Sequence, residues 1–264
     1  GSGITGQPFG TGSVIVSATN ATLDLNGQSI SNLLTLNGTG LSSAGAIINS
    51  NATAATASGN ITLGSNTSIG GTNAITLSGI IDDGVNTYAI TKVGTGTITL
   101  TGANTYGGNT TINAGTLVLS GSGTLGNNTS TLTISSATLD IQNGAKTVGA
   151  LVMNGTSPAI TNSTGTSSLI VSGTSTLAGS VTTSSTQLYT GNVTLGAATT
   201  LTGSTITTNG TIVGGTNSLT ITGNAVFGDG TTDTVTGLTT LSVSGTTTIN
   251  TSTVTSSSTQ LFTG

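Results

Sequence analysis

The sequence has no cysteine, histidine, tryptophan, arginine or glutamate, and its 264 residues carry two lysines and six aspartates, for a net charge of −4. Each absence excludes something. Without histidine a Ser-His-Asp triad cannot be built from the many serines. Without clustered Lys or Arg no basic patch exists to hold phosphates, so nucleic acid is not an expected partner. No apolar run approaches the length of a membrane helix, so no membrane insertion is expected of this segment. Cleavage of a polysaccharide by paired carboxylates needs an acid of raised pKa and usually sugar-stacking aromatics. With no Glu, His, Arg or Trp, no catalytic and no cofactor-binding residue is assigned. No signal peptide is present and the chain starts at Gly1, which reads as a processed or cut chain.

Low charge and few aromatics signal disorder only when hydrophobicity is also low. Here Val, Ile and Leu recur at strand-like spacing, among 42 glycines and abundant Thr, Ser and Asn. Thr favours strands, whereas Gly and Asn favour turns. The clearest pattern runs from Gly94 to Leu119. Ile98 and Leu100 alternate with Thr97, Thr99 and Thr101. Gly102-Ala103-Asn104 and Gly107-Gly108-Asn109 turn the chain into Thr110-Thr111-Ile112. Asn113-Ala114-Gly115 then leads to Thr116–Leu119. Period-two alternation between tight turns predicts three short half-buried strands forming one coil of a solenoid. Such a coil cannot bury its apolar face alone and must stack on its neighbours. At about 20 residues per coil, spaced ~4.8 Å, the chain is expected to form roughly 13 coils as a single solenoid over 1–264. Residues 1–11 read as a leader or a capping coil. Residues 41–60, small and weakly patterned, read as a looser coil or a protruding loop.

The wording from Gly94 through Gly126, with its continuation at 137–156, resembles the repeat of bacterial autotransporter passenger domains. Thr186–Gly196 resembles repeats of large filamentous-haemagglutinin-like adhesins. The resemblance implies an all-β, right-handed parallel β-helix exported to the extracellular side of the bacterial outer cell surface. The missing cysteines then have two equal accounts. An exported chain must stay unfolded while crossing an oxidising compartment, and a stacked solenoid needs no covalent staples.

Two internal repeats support a solenoid. Ala21–Leu25, Asn26-Gly27 and Leu34–Thr39 match Ala137–Ile141, Asn143-Gly144 and Leu151–Thr156 at an offset of 116 to 117 residues. Asp24 and Asp140 fall in the same phase, which places both carboxylates outward. Leu169–Gly173 and Ser185–Gly191 match Leu241–Gly245 and Ser258–Gly264 at an offset of 72 to 73 residues. Tyr189 and Phe262 are equivalent there, so the ring is expected to matter through packing. The first copy continues into Asn192–Leu195, which predicts further chain beyond Gly264.

Asp82-Asp83-Gly84 and Asp229-Gly230-Thr231-Thr232-Asp233 are weak calcium candidates, because calcium takes several oxygen ligands. Asp-Gly is also a common turn, and neither stretch matches the calcium-binding nonapeptide of other β-rolls. Asn-x-Ser/Thr recurs at Asn20, Asn37, Asn66, Asn109, Asn128, Asn154, Asn192 and Asn209, where glycosylation is possible. Tyr88, Tyr106 and Tyr189 read as packing at coil corners, with a sugar-binding face as the alternative. Gly94-Thr95-Gly96 lacks the lysine and helix of a phosphate loop. The expected function is a non-enzymatic rigid stalk in an adhesin, serving adhesion or biofilm formation and facing a host or neighbouring-cell surface. The alternative is a subunit that stacks end to end on other copies of itself into an extracellular filament or sheath.

Overall fold

The computed structural model describes residues 8–230 and 232–264, so most of the expected leader, residues 1–7, lies outside the described residues. The described part is all-β, with 29 short strands and a single 3-10 turn at Leu41–Ser43. Every described strand pair is parallel, and each strand pairs with one 18 to 29 residues along the chain. That combination is a β-solenoid, as the alternation and repeats predict. Two compact units divide the chain, 1–130 and 131–264.

In the first unit the alternation becomes three faces. One carries the column Val14, Leu34, Ile61 and Ile81. A second carries Leu23, Ile47, Ile69, Lys92 and Ile112. The third carries Ala57, Leu77, Leu100 and Leu119. The inward members of the second and third faces are buried almost completely. Burial of each Leu or Ile stabilises the stack by roughly 1.5–3 kcal/mol. Between them Thr56, Thr76 and Thr99 face outward in register. Their β-branched side chains suit an extended backbone and keep that face polar without charge.

One expectation is revised here. Thr97–Leu100 and Thr116–Leu119 lie one above the other, so the stretch 94–119 spans a full turn and begins the next. Residues 41–60 belong to a longer coil, offset by 27 residues from the next, with strands Ile47–Ile48 and Ala55–Ala57 in register on their neighbours and exposed stretches at 41–44 and 50–54. Ala46, Ala55 and Ala57 are buried, and their weak hydropathy hides an inward phase that small side chains fill where backbones pack closely. The turn before this coil demands glycine at position 40, where φ is +75° and a Cβ would collide with the Gly45 carbonyl.

The second unit repeats the plan. Its columns run Leu139, Ile160, Val181, Leu201, Ile221, Val243, Phe262 and Val148, Val171, Tyr189, Thr208, Phe227, Ile249. Tyr189 and Phe262 therefore stand in different columns. What the 72-to-73-residue repeat preserves is local stacking: Leu169 under Gln187 and Val171 under Tyr189, as Leu241 lies under Gln260 and Val243 under Phe262.

Candidate functional site

The polar side chains at the strand ends do one kind of work, which is to tie each coil to the next. Asp24 ends the strand Leu23–Asp24 and points outward. Its carboxylate accepts the Ser50 hydroxyl at 2.5 Å, the Ser50 amide at 3.1 Å and the Asn26 amide at 2.9 Å. Burial raises its pKa, but the bonds from the Ser50 side chain, the Ser50 amide and the Asn26 amide outweigh that and hold it below the ordinary value. Asp140 repeats the arrangement, accepting the Ser163 amide at 2.9 Å and hydroxyl at 2.5 Å, with Gln142 Nε2 at 3.1 Å. It lies in the outward phase between buried Leu139 and Ile141, yet is only 6% exposed because these partners cover it. Asp82 does the same with the Gly84 amide at 2.8 Å and the Thr105 hydroxyl at 2.8 Å.

Buried asparagines act as two-sided clips. Asn49 is fully buried; its Oδ1 accepts the Gly27 amide at 2.9 Å, and its Nδ2 donates to the Thr53 carbonyl at 2.8 Å and the Ala74 carbonyl at 2.9 Å. Asn104 accepts the Ile81 amide at 2.8 Å and donates to the Thr124 carbonyl at 2.8 Å. One side chain thus joins three successive coils, satisfying groups the parallel ladder leaves open at the corners.

Lys92 is the outlier. It occupies an inward position in the aliphatic column between Ile69 and Ile112 and has no exposed surface. Its Nζ donates to the carbonyls of Val93 at 2.9 Å, Gly94 at 2.7 Å and Ala114 at 3.0 Å, one for each ammonium hydrogen. Burial pushes its pKa down to about 8. Lys146, also inward and pairing with Leu169, is lowered for the same reason. Tyr106 is fully buried, its hydroxyl 2.7 Å from the Thr110 hydroxyl, and burial raises its pKa despite that bond. Tyr189 is fully buried as well and raised by burial; it donates to Gln187 Oε1 at 2.9 Å. Gln187 in turn donates to the carbonyls of Val181 at 3.0 Å and Thr202 at 2.8 Å. Tyr88 is half-buried.

The calcium candidates sit in two turns. Asp82 accepts donors from the protein on both oxygens, and Asp83 Oδ2 accepts the amides of Tyr88 at 2.7 Å and Gly107 at 3.0 Å. In the other turn Asp233 Oδ2 accepts the Asp229 amide at 3.4 Å, and Thr231 lies outside the described residues. Among the described residues no three His, Cys, Asp or Glu side chains gather as a metal site would require. Of the Asn-x-Ser/Thr asparagines, Asn20, Asn66, Asn109, Asn128, Asn154 and Asn192 are exposed. The side-chain amides of Asn37, Asn66 and Asn192 bond neighbouring coils, at Val16, Ala89 and Thr211.

Sequence reasoning missed Asn49, Asn104, Lys92 and Gln187. For Lys92 a signal was present: in Ile90-Thr91-Lys92 the lysine falls in the apolar phase. For the asparagines none was, since turn asparagines and inward clips look alike in a chain this rich in Asn.

Residues 90–119 match the family model described as passenger-associated-transport-repeat. Comparison with curated proteins and with solved structures returned no match. The matched stretch runs from the strand of Lys92 through Tyr106 and Thr110 to Leu119, and in its parallel coils it is similar to a repeat of autotransporter passengers.

Proposed function

We propose that the chain is a non-enzymatic structural segment of a secreted bacterial adhesin, displayed at the cell surface, and that its stacked coils act as a stiff stalk. The observation that carries this reading is where the polar groups go. Asp24, Asp82, Asp140, Asn49 and Asn104 bind one coil to the next rather than converging on a pocket. The interior columns are filled, and outward positions are largely Thr and Ser. Such a surface supports weak, extended contacts with a host or neighbouring cell, and within each unit the parallel ladder resists bending. The passenger-associated repeat supports a place in an exported protein.

The test is adhesion by the purified chain. Beads coated with it are expected to bind cells above the level of albumin-coated beads, and in producing bacteria added protease is expected to remove the chain from intact cells. Beads that bind no better than albumin would overturn the adhesive role. A chain protected on intact cells would overturn the surface location.

A further inference from the structure

We propose that Asn154-Gly155 is a self-modifying site, where the asparagine side chain closes on the main chain, loses ammonia and becomes aspartate or isoaspartate. This goes beyond the stalk reading and does not depend on adhesion. In the first step the Gly155 nitrogen gives up its proton to solvent and bonds to Asn154 Cγ. The Cγ–Nδ2 bond breaks, and Nδ2 takes up a proton and leaves as ammonia. Water, the only co-reactant, then opens the cyclic imide. Attack at Cγ leaves aspartate; attack at the main-chain carbonyl leaves isoaspartate, with the chain running through Cβ and Cγ. The reaction needs an attacking amide that no acceptor holds, a side chain free to swing, and no Cβ beside the nucleophile, which glycine provides.

The chain has Asn-Gly pairs at 26, 37, 143, 154 and 209, and only one meets all three conditions in the open. Asn37-Gly38 is the counterpart of Asn154-Gly155 in the internal repeat, and there both reacting groups are held. Asn37 Nδ2 donates to the Val16 carbonyl at 2.9 Å, and the Gly38 amide donates to the Ser65 hydroxyl at 2.9 Å. The Gly27 amide donates to Asn49 Oδ1 at 2.9 Å, and the Gly144 amide to the Thr166 carbonyl at 2.8 Å. Asn209 and Gly210 are half-buried. At 154 the positions 154–157 are all exposed. Among the described residues no group accepts the Gly155 amide hydrogen, and the Asn154 side chain makes no hydrogen bond.

The coil below keeps the reactive pair in place. The Asn154 carbonyl accepts the Ser136 amide at 3.0 Å, and the Thr156 amide donates to the Ser136 hydroxyl at 2.7 Å. The turn is therefore fixed on either side of the attacking nitrogen but not at it. Gly155 has φ +80°, and a Cβ there would press on Ser136 Oγ. The close approach that demands glycine for packing also leaves ring closure unhindered. The product sets a new carboxylate, or an extra main-chain carbon, at the end of the strand Ala150–Asn154 and against Ser136.

Peptide mapping by mass spectrometry tests this, on the full chain kept folded for days at mildly alkaline pH and on a matched sample in urea. In the folded chain Asn154 is expected to convert about tenfold or more faster than Asn26, Asn37 and Asn143, each of which must first release its glycine amide from an acceptor. In urea the five pairs are expected to react at similar rates, because the held amides are then free. Isoaspartate, detected with an isoaspartyl methyltransferase, should accumulate at 154 in step with ammonia. Asn154→Gln is expected to leave far-ultraviolet circular dichroism unchanged and to remove that isoaspartate signal from the folded chain. Hydrogen exchange gives a second readout: the Ser136 amide loses protection as Asn154 converts. An Asn154 that stays intact in the folded chain while Asn37 converts in urea, or that converts no faster than Asn37 when both are folded, would overturn the proposal.

Discussion

Asp140 accepts both the amide and the hydroxyl of Ser163, at 2.9 and 2.5 Å, across the gap between two successive coils. Asp24 holds Ser50 in the same way. The two sites differ in exposure, and that difference sets the expected cost of removing them. Asp140→Ala removes a covered carboxylate and the bonds it makes and is expected to cost about 2 kcal/mol, whereas at exposed Asp24 water replaces the lost bonds and the cost is about 1 kcal/mol. Urea unfolding of both variants checks the order. Equal losses would show that cover over Asp140 contributes nothing.

Asn49→Ala and Asn104→Ala test the two-sided clips. Each removes one side chain that bonds two other coils: for Asn49 the Gly27 amide is stranded and the Ala74 carbonyl keeps only the Ala55 amide, and for Asn104 the Ile81 amide and Thr124 carbonyl lose their bonds to it. A buried unpaired group costs about 1–3 kcal/mol, so either variant is expected to lose about 3 kcal/mol. Asn128→Ala, at an exposed turn, is expected to stay within about 0.5 kcal/mol of the parent. Denaturant midpoints give all three values in one experiment.

The difference between what was and was not legible in the sequence has the same origin as these costs. Period-two alternation at Ile98, Leu100, Leu117 and Leu119 fixes which side chains face inward, because a one-residue slip would turn every one of them to solvent. Parallel stacking followed from the repeats, since a lone coil has nothing to bury against. The alanine coil at 41–60 was hidden because burial there depends on close backbone packing, not on large apolar groups. Asp140 was placed in the right phase, but its cover comes from Gln142, two residues on, and from Ser163 on the next coil, which alternation does not encode. Lys92 broke the apolar phase for a local reason, three carbonyls at one corner, which only the folded coil brings together.

Gly126 separates clash from backbone strain. Its φ is +75°, and a Cβ would press on the Tyr106 carbonyl oxygen and lie 2.9–3.0 Å from the Tyr106 ring. Gly144 has the same φ with nothing within 4 Å. Gly144→Ala is expected to cost about 1–2 kcal/mol from left-handed backbone alone. Gly126→Ala adds displacement of a buried tyrosine and is expected to lose about 3 kcal/mol or more. Near-ultraviolet circular dichroism should change in Gly126→Ala and remain that of the parent in Gly144→Ala.

The buried lysine and tyrosines together predict a stability maximum on the alkaline side. Lys92 has a folded pKa of about 8 against an ordinary 10.5. Below pH 8 both folded and unfolded chains hold the proton, and the cost of the buried charge is fully present. Between about pH 8 and 10.5 the unfolded chain binds more protons than the folded one, so stability rises with pH, by on the order of 2 kcal/mol near pH 9.5. Lys146, lowered by burial too, adds in the same direction. Tyr106 and Tyr189 act oppositely. Burial raises both above their ordinary value of 10.0, so above that pH the unfolded chain releases protons that the folded chain keeps, and stability falls. Urea unfolding from pH 7 to pH 11 is expected to peak between about pH 9 and 10. Lys92→Met should flatten the rising limb, and the Tyr106→Phe, Tyr189→Phe double variant the falling one. A parent whose stability declines steadily from pH 7 would show that the three carbonyls around Nζ hold its proton more tightly than burial repels it.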